Sequence, residues 1–154
     1  MARNKQRLLI EQLDEKLRPF HQAKTIIVPE KGWIHTIRTT LNMTMAQLGN
    51  KLNITRQGIK KMEDSEANGT LTLNSLKDVA HALDMQLVYA IVPKQESIDD
   101  LITEKAEKLA QKIVLRTNQN MKLENQSIGD DKLNKTIQDL SDELKRDMGK
   151  SLWD

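Results

Sequence analysis

Apolar positions recur along most of this chain at helical spacing. Leu9, Leu13 and Leu17 repeat every four residues with Ile10 beside them, which predicts an amphipathic helix over residues 3 to 18, ended or bent by Pro19. Ile26-Ile27-Val28 is a β-branched run stopped by Pro29, and it fits either a brief strand or an extended arm. Four helices are then expected between Trp33 and Met85. The first has Ile34, Ile37 and Leu41 inward, the second Leu48 and Leu52, the third Ile59 and Met62, and the fourth Leu76, Val79, Ala80 and Leu83. Gln86 to Val92 (QLVYAIV) is apolar on both alternating faces, which predicts a buried strand stopped by Pro93. Such a strand needs a partner backbone, either Ile26 to Val28 or the same strand of a second subunit. Beyond Pro93, Ser97 caps a long helix whose stripe is Ile102, Ala106, Leu109 and Ile113, with Leu101 and Val114 beside it. Asp99 and Asp100 suit its positive end. Asn118 to Asp131 is polar and expected as a loop. A last helix from about Asp131 to Met148 carries the stripe Leu133, Ile137, Leu140, Leu144 and Met148.

The expected fold is therefore mainly α. It is a four-helix bundle followed by one short β-strand, with helical extensions at both ends. Expected boundaries are 1–28 for the N-terminal arm, 29–93 for the bundle with its strand, and 94–154 for the C-terminal extension.

The centre of the bundle has a particular local grammar. Thr44 and Gln47 have the spacing of a capping box at a helix start. Asn53 falls where that helix must turn, and Asn tolerates a left-handed backbone. Ile54 plugs the turn and Thr55 caps the next helix. Asn68-Gly69 closes that helix, and Thr72 or Asn74 caps the following one. This is the layout of a helix-turn-helix. Arg56, Gln57, Lys60 and Lys61 are left outward on the second helix, where Arg and Lys match guanine edges and Gln matches adenine. An ordinary solvated helix face is the competing explanation for those four residues. The coincidence of two caps, a leucine pair and an Asn turn at this spacing favours DNA. Lys51, Arg38 and the N-terminal Arg3, Lys5 and Arg7 are candidate phosphate contacts.

Composition narrows the alternatives. The chain has 154 residues, 38% hydrophobic and 30% charged, so one domain with appendages is expected. At 3% aromatic it lacks the residues for single-strand stacking platforms. Without cysteine there is no thiolate metal site or cysteine nucleophile. A net charge of +2 leaves any basic footprint local. His21, His35 and His81 lack metal-type spacing, no nucleophile elbow is present, and the Asp99-Asp100 and Asp130-Asp131 pairs sit at helix starts. No catalytic residue, metal or cofactor is expected, and the chain is not expected to be an enzyme. No targeting segment or membrane span is expected, which predicts a cytoplasmic protein.

The segment from Trp33 to about Met85 resembles the phage-repressor-like (XRE) helix-turn-helix family at Thr44, Gln47, Leu48, Leu52, Ile54, Thr55, Ile59 and Glu63. The resemblance implies that Gln47 contacts phosphate, that Arg56, Gln57 and Lys61 meet base edges, and that Lys60 lies near base or phosphate. The chain departs from the family at Gly49, where Ala is usual, and at Asn53, where Gly is usual. Gly58 is a further oddity, since a mid-helix Gly costs about 1 kcal/mol against Ala.

Over the whole chain, the pieces GWI-x-x-IR, MEDSEANGT-x-TL and LVYA-x-VP are similar to the bacterial family called mobile mystery protein A. That family is associated with mobile elements, and its gene commonly neighbours one for a Fic-domain protein. The resemblance implies a toxin–antitoxin-like pair in which this chain represses the operon. The helix often used to restrain Fic enzymes, Ser/Thr-x-x-x-Glu-Gly/Asn, has no counterpart here, so inhibition of a Fic partner would use another surface.

Two functions follow as expectations. The first is a homodimeric, sequence-specific regulator, an autorepressor on a near-palindromic operator in double-stranded DNA. The alternative is an antitoxin that masks a Fic-domain partner through its helical C-terminus, with Ile137, Leu140 and Leu144 as the contact stripe. Packing of that stripe within the chain or a dimer competes with this alternative. An RNA-binding module fits less well, because Arg56, Gln57, Lys60 and Lys61 suit a B-form groove better than an A-form one.

Overall fold

The computed structural model describes residues 2–123 and 129–154. Among them the regular elements are all helical: α1 (Ala2–Leu17), α2 (Gly32–Thr40), α3 (Met45–Leu52), α4 (Arg56–Asn68), α5 (Leu73–Ala82), α6 (Ile98–Leu123) and α7 (Asp130–Asp147), with 3₁₀ stretches at Arg18–Thr25 and Lys150–Trp153. The chain divides into two compact units, Ala23–Ala90 and Met1–Gln22 with Ile91–Asp154.

In the first unit each helix contributes to one core: Ile34 from α2, Leu48 from α3, Ile59 from α4, Val79 from α5, and Leu83 just beyond it. Leu48 and Ile59 are fully buried, each stabilising the unit by about 1.5–3 kcal/mol over an exposed side chain. The helix ends are set locally. Thr72 caps α5 by accepting from the Ser75 N–H, and Gly69 (φ 78°) ends α4 in the left-handed region. Leu41, expected inward, is half exposed.

The second unit is built on α6. Ile102, Ala106 and Leu152 form its centre, with Ile10, Leu109, Leu144 and Met148 packed around them. Leu17 is also buried, but Leu9 and Leu13 of the N-terminal leucine repeat remain nearly half exposed. α6 begins with two caps. Ser97 Oγ accepts from the Asp100 N–H at 3.0 Å, and Asp14 of α1 accepts from the Ile98 N–H at 2.6 Å.

Two expectations are corrected. No strand exists among the described residues. Gln86–Val92 has no ladder partner: no backbone bond joins it to Ile26–Val28, and Val88, Tyr89, Ile91, Ile26, Ile27 and Val28 are exposed. Alternating apolar residues make a strand only when a second backbone lies alongside to pair the amides. Here the segment follows α5 as an irregular connection instead, with Lys77 Nζ over the Tyr89 ring at 5.7 Å from its centroid. The polar loop expected over 118–131 is also corrected at both ends. α6 continues to Leu123 and α7 begins at Asp130, because no Gly or Pro interrupts the sequence before Gly129. The part of that loop at 124–128 lies outside the described residues.

Candidate nucleic-acid interface

Three short-range devices shape the α3–α4 segment. At its start the Gln47 N–H donates to Thr44 Oγ1 (3.1 Å) while the Thr44 N–H donates to Gln47 Oε1 (2.9 Å), a complete capping box. At its turn Asn53 is left-handed (φ 57°, ψ 38°), and the Ile54 N–H donates to the Gly49 carbonyl at 2.9 Å. At the second start Thr55 Oγ1 accepts from the Gly58 N–H at 3.0 Å. The turn closes tightly over Gly49. A Cβ there would sit 2.7 Å from the Ile54 carbonyl oxygen. This backbone leaves no room for a side chain at Gly49.

α4 is fixed against α2 by two carboxylates. Glu63 binds the Arg38 guanidinium, Nε to Oε1 at 2.5 Å, with both side chains buried. Arg38 also donates to the Met43 carbonyl at 2.9 Å, and His35 Nδ1 lies 3.5 Å from Glu63. One turn further on, Glu66 accepts from the Trp33 and Ile34 N–H groups at 2.9 and 2.8 Å. It therefore caps α2 from another helix. Gly32 (φ 85°) makes room for this, since a Cβ on it would lie 2.6 Å from Glu66 Oε1.

The outer face is chemically different. Arg56, Gln57, Lys60 and Lys61 on α4, and Thr44, Gln47 and Lys51 on α3, are all exposed. Lys60 pairs with Asp64 at 2.9 Å, an exposed contact of small worth. Arg56, Gln57, Lys51 and Lys61 have no partner among the described residues. The capping box occupies Gln47 Oε1, leaving its amide N–H donors unspent. Between Glu30 and Glu63 the chain has six cations (Lys31, Arg38, Lys51, Arg56, Lys60, Lys61) and no acid. The modest net charge of the whole chain hides this local excess.

Not every sequence-predicted contact reaches that face. Arg38 is turned into the bundle and its donors are spent on Glu63 and Met43. Arg3, Lys5 and Arg7 belong to the other unit, where Arg3 pairs with Asp147 at 2.9 Å. The proposed partner stripe, Ile137, Leu140 and Leu144, is half-buried, and Leu144 packs on the Ile102–Leu152 core. Glu66 is the residue sequence reasoning missed. Its bond to α2 spans 33 residues, a distance at which no local pattern announces it.

Among the described residues no His, Cys, Asp or Glu group of three or more is arranged to hold a metal ion. None of the described helices is long and apolar enough to cross a membrane. No family model matches the chain, and neither a curated protein nor a solved structure matches it.

Proposed function

We propose that this chain is a sequence-specific DNA-binding transcriptional regulator, acting in the cytoplasm as a homodimer rather than as an enzyme. The observation that carries this reading is the pairing of a capped, turn-locked α3–α4 unit with an exposed face whose first two α4 turns, Arg56 to Met62, carry no acid. On that face Arg56, Gln57 and Lys61 hold unspent donors. α4 enters the major groove with its first turns toward the bases, while Gln47 and Lys51 bind the flanking phosphates. Two copies read half-sites about 34 Å apart on a near-palindromic operator. The resemblance to mobile mystery protein A supports the further reading of an autorepressor in a toxin–antitoxin-like operon with a Fic-domain protein.

The test is a titration of the full chain against the DNA upstream of its own gene, at two salt concentrations, with unrelated DNA as competitor. Competitor-resistant binding is expected. Equal, steeply salt-dependent binding to both DNAs would reduce the interface to a backbone contact and defeat the reading.

A further inference from the structure

We propose that the cavity formed by α1, α6 and α7 binds a small organic phosphate, an anionic head on a compact apolar body. The cavity is a groove open to solvent on one side, with a volume of about 430 Å³, within the range of small-molecule sites. Its floor is apolar: Ile102 is 2% exposed, and Ile10 and Met148 are half-buried. Met148 holds a left-handed backbone (φ 49°, ψ 42°), unfavourable for a residue with a side chain, at the point where it lines the cavity.

The walls are cationic. Arg3 and Arg7 come from α1, Lys145 and Arg146 from α7, and Asp99 is the one lining carboxylate. Arg3 and Lys145 are positioned by Asp147 and Asp99 at 2.9 and 3.0 Å. The Arg7 contact with Glu11 is longer, at 3.5 Å, and Arg146 has no partner among the described residues. Helix electrostatics accounts for only half of this set. Lys145 and Arg146 lie in the last turn of α7, where cations are favoured. Arg3 lies at the start of α1, whose first turn has no acid, so its charge adds to the positive helix end instead of offsetting it. With Arg3 and Lys145 offset by Asp147 and Asp99, an anion in the cavity would meet the unpaired Arg146 and the loosely held Arg7. Two guanidinium forks match the several oxygens of a phosphate head better than a single carboxylate does. The Ile and Met floor then selects an apolar body.

This site stands independently of DNA binding, and its test contains no DNA. Calorimetric titration of the full chain with phenyl phosphate should give saturable one-site binding, about tenfold or more tighter than with inorganic phosphate or phenol. Arg7→Ala and Arg146→Ala should each weaken it about tenfold, as expected for loss of a charge-assisted bond. Lys5→Ala, an exposed cation outside the cavity lining, should leave it unchanged. Equal affinity for inorganic phosphate, no saturation at millimolar ligand, or wild-type binding by both arginine variants would overturn the proposal.

Discussion

Arg38 and Glu63 form an ion pair inside the bundle, with side chains 8% and 4% exposed. It joins α2 to α4 and so fixes the helix that carries Arg56, Gln57 and Lys61. Removing one partner strands the other charge in a site that water hardly reaches. Glu63→Ala should therefore cost about 3–5 kcal/mol, while the double replacement Arg38→Met with Glu63→Leu should recover most of that loss. Urea unfolding midpoints measure both. A loss below about 1 kcal/mol for Glu63→Ala would show that the pair does not hold the helices. In DNA titrations the double replacement, which leaves no stranded charge, should leave the salt slope unaltered, whereas loss of a true phosphate contact lowers it by about one.

The two glycines of the helix-turn-helix should respond oppositely to alanine. At Gly49 the added methyl meets a backbone oxygen, the Ile54 carbonyl, at 2.7 Å. The turn must open to admit it, and overpacking of this kind costs about 1–3 kcal/mol. At Gly58 the nearest atom is the Ile54 Cδ1 methyl at 3.3 Å, the end of a flexible side chain. There the helix-propensity gain of up to about 1 kcal/mol should prevail. Thermal unfolding of Gly49→Ala and Gly58→Ala should thus shift in opposite directions. A stabilised Gly49→Ala would mean that the turn is looser than this geometry.

What could be read from sequence divides by range. Thr44 with Gln47, Asn53, Thr55, Gly69 and Thr72 act on backbone groups a few residues away, so their roles follow from spacing. Glu66 on α2, and Asp14 on α6 across 84 residues, have no such local signature. QLVYAIV misled because alternation reports which residues can share a face, and says nothing of whether a partner backbone exists. Arg38 was legible in principle. It lies four residues after Ile34, on the buried face of α2, where position decides burial and a charge calls for a buried partner.

Arg56 and Gln57 should carry sequence preference and Lys51 should not. Both α4 residues are exposed in the first turn after the Thr55 cap, where a recognition helix meets base edges. Arg56→Ala and Gln57→Ala should each cost about 1–3 kcal/mol on the operator and less on unrelated DNA. Lys51→Ala, at the far end of α3, should weaken all sequences alike and reduce the salt slope by about one. Competition titrations with single-base operator variants decide the matter. Unchanged operator affinity in Arg56→Ala would remove this face as the reader.

Asp14 should hold α1 onto α6 more firmly than any surface ion pair does. Its carboxylate accepts from the Ile98 and Asp99 N–H groups, at 2.6 and 3.3 Å, at the start of α6. Two otherwise unsatisfied helix donors are thereby met by another helix. The Arg3–Asp147 contact between α1 and α7 has side chains 73% and 45% exposed, and such pairs contribute at most about 1 kcal/mol. Asp14→Ala should cost about 1.5–3 kcal/mol, the range for a hydrogen bond to a charged group. Ser97→Ala, which removes only a local cap, should cost about 1 kcal/mol. Amide hydrogen exchange separates the two effects. Asp14→Ala should speed exchange throughout α1, while Ser97→Ala should act on the first turn of α6 alone. If α1 exchanged at the wild-type rate in Asp14→Ala, the buried Leu17 and half-buried Ile10 would be its sufficient anchors.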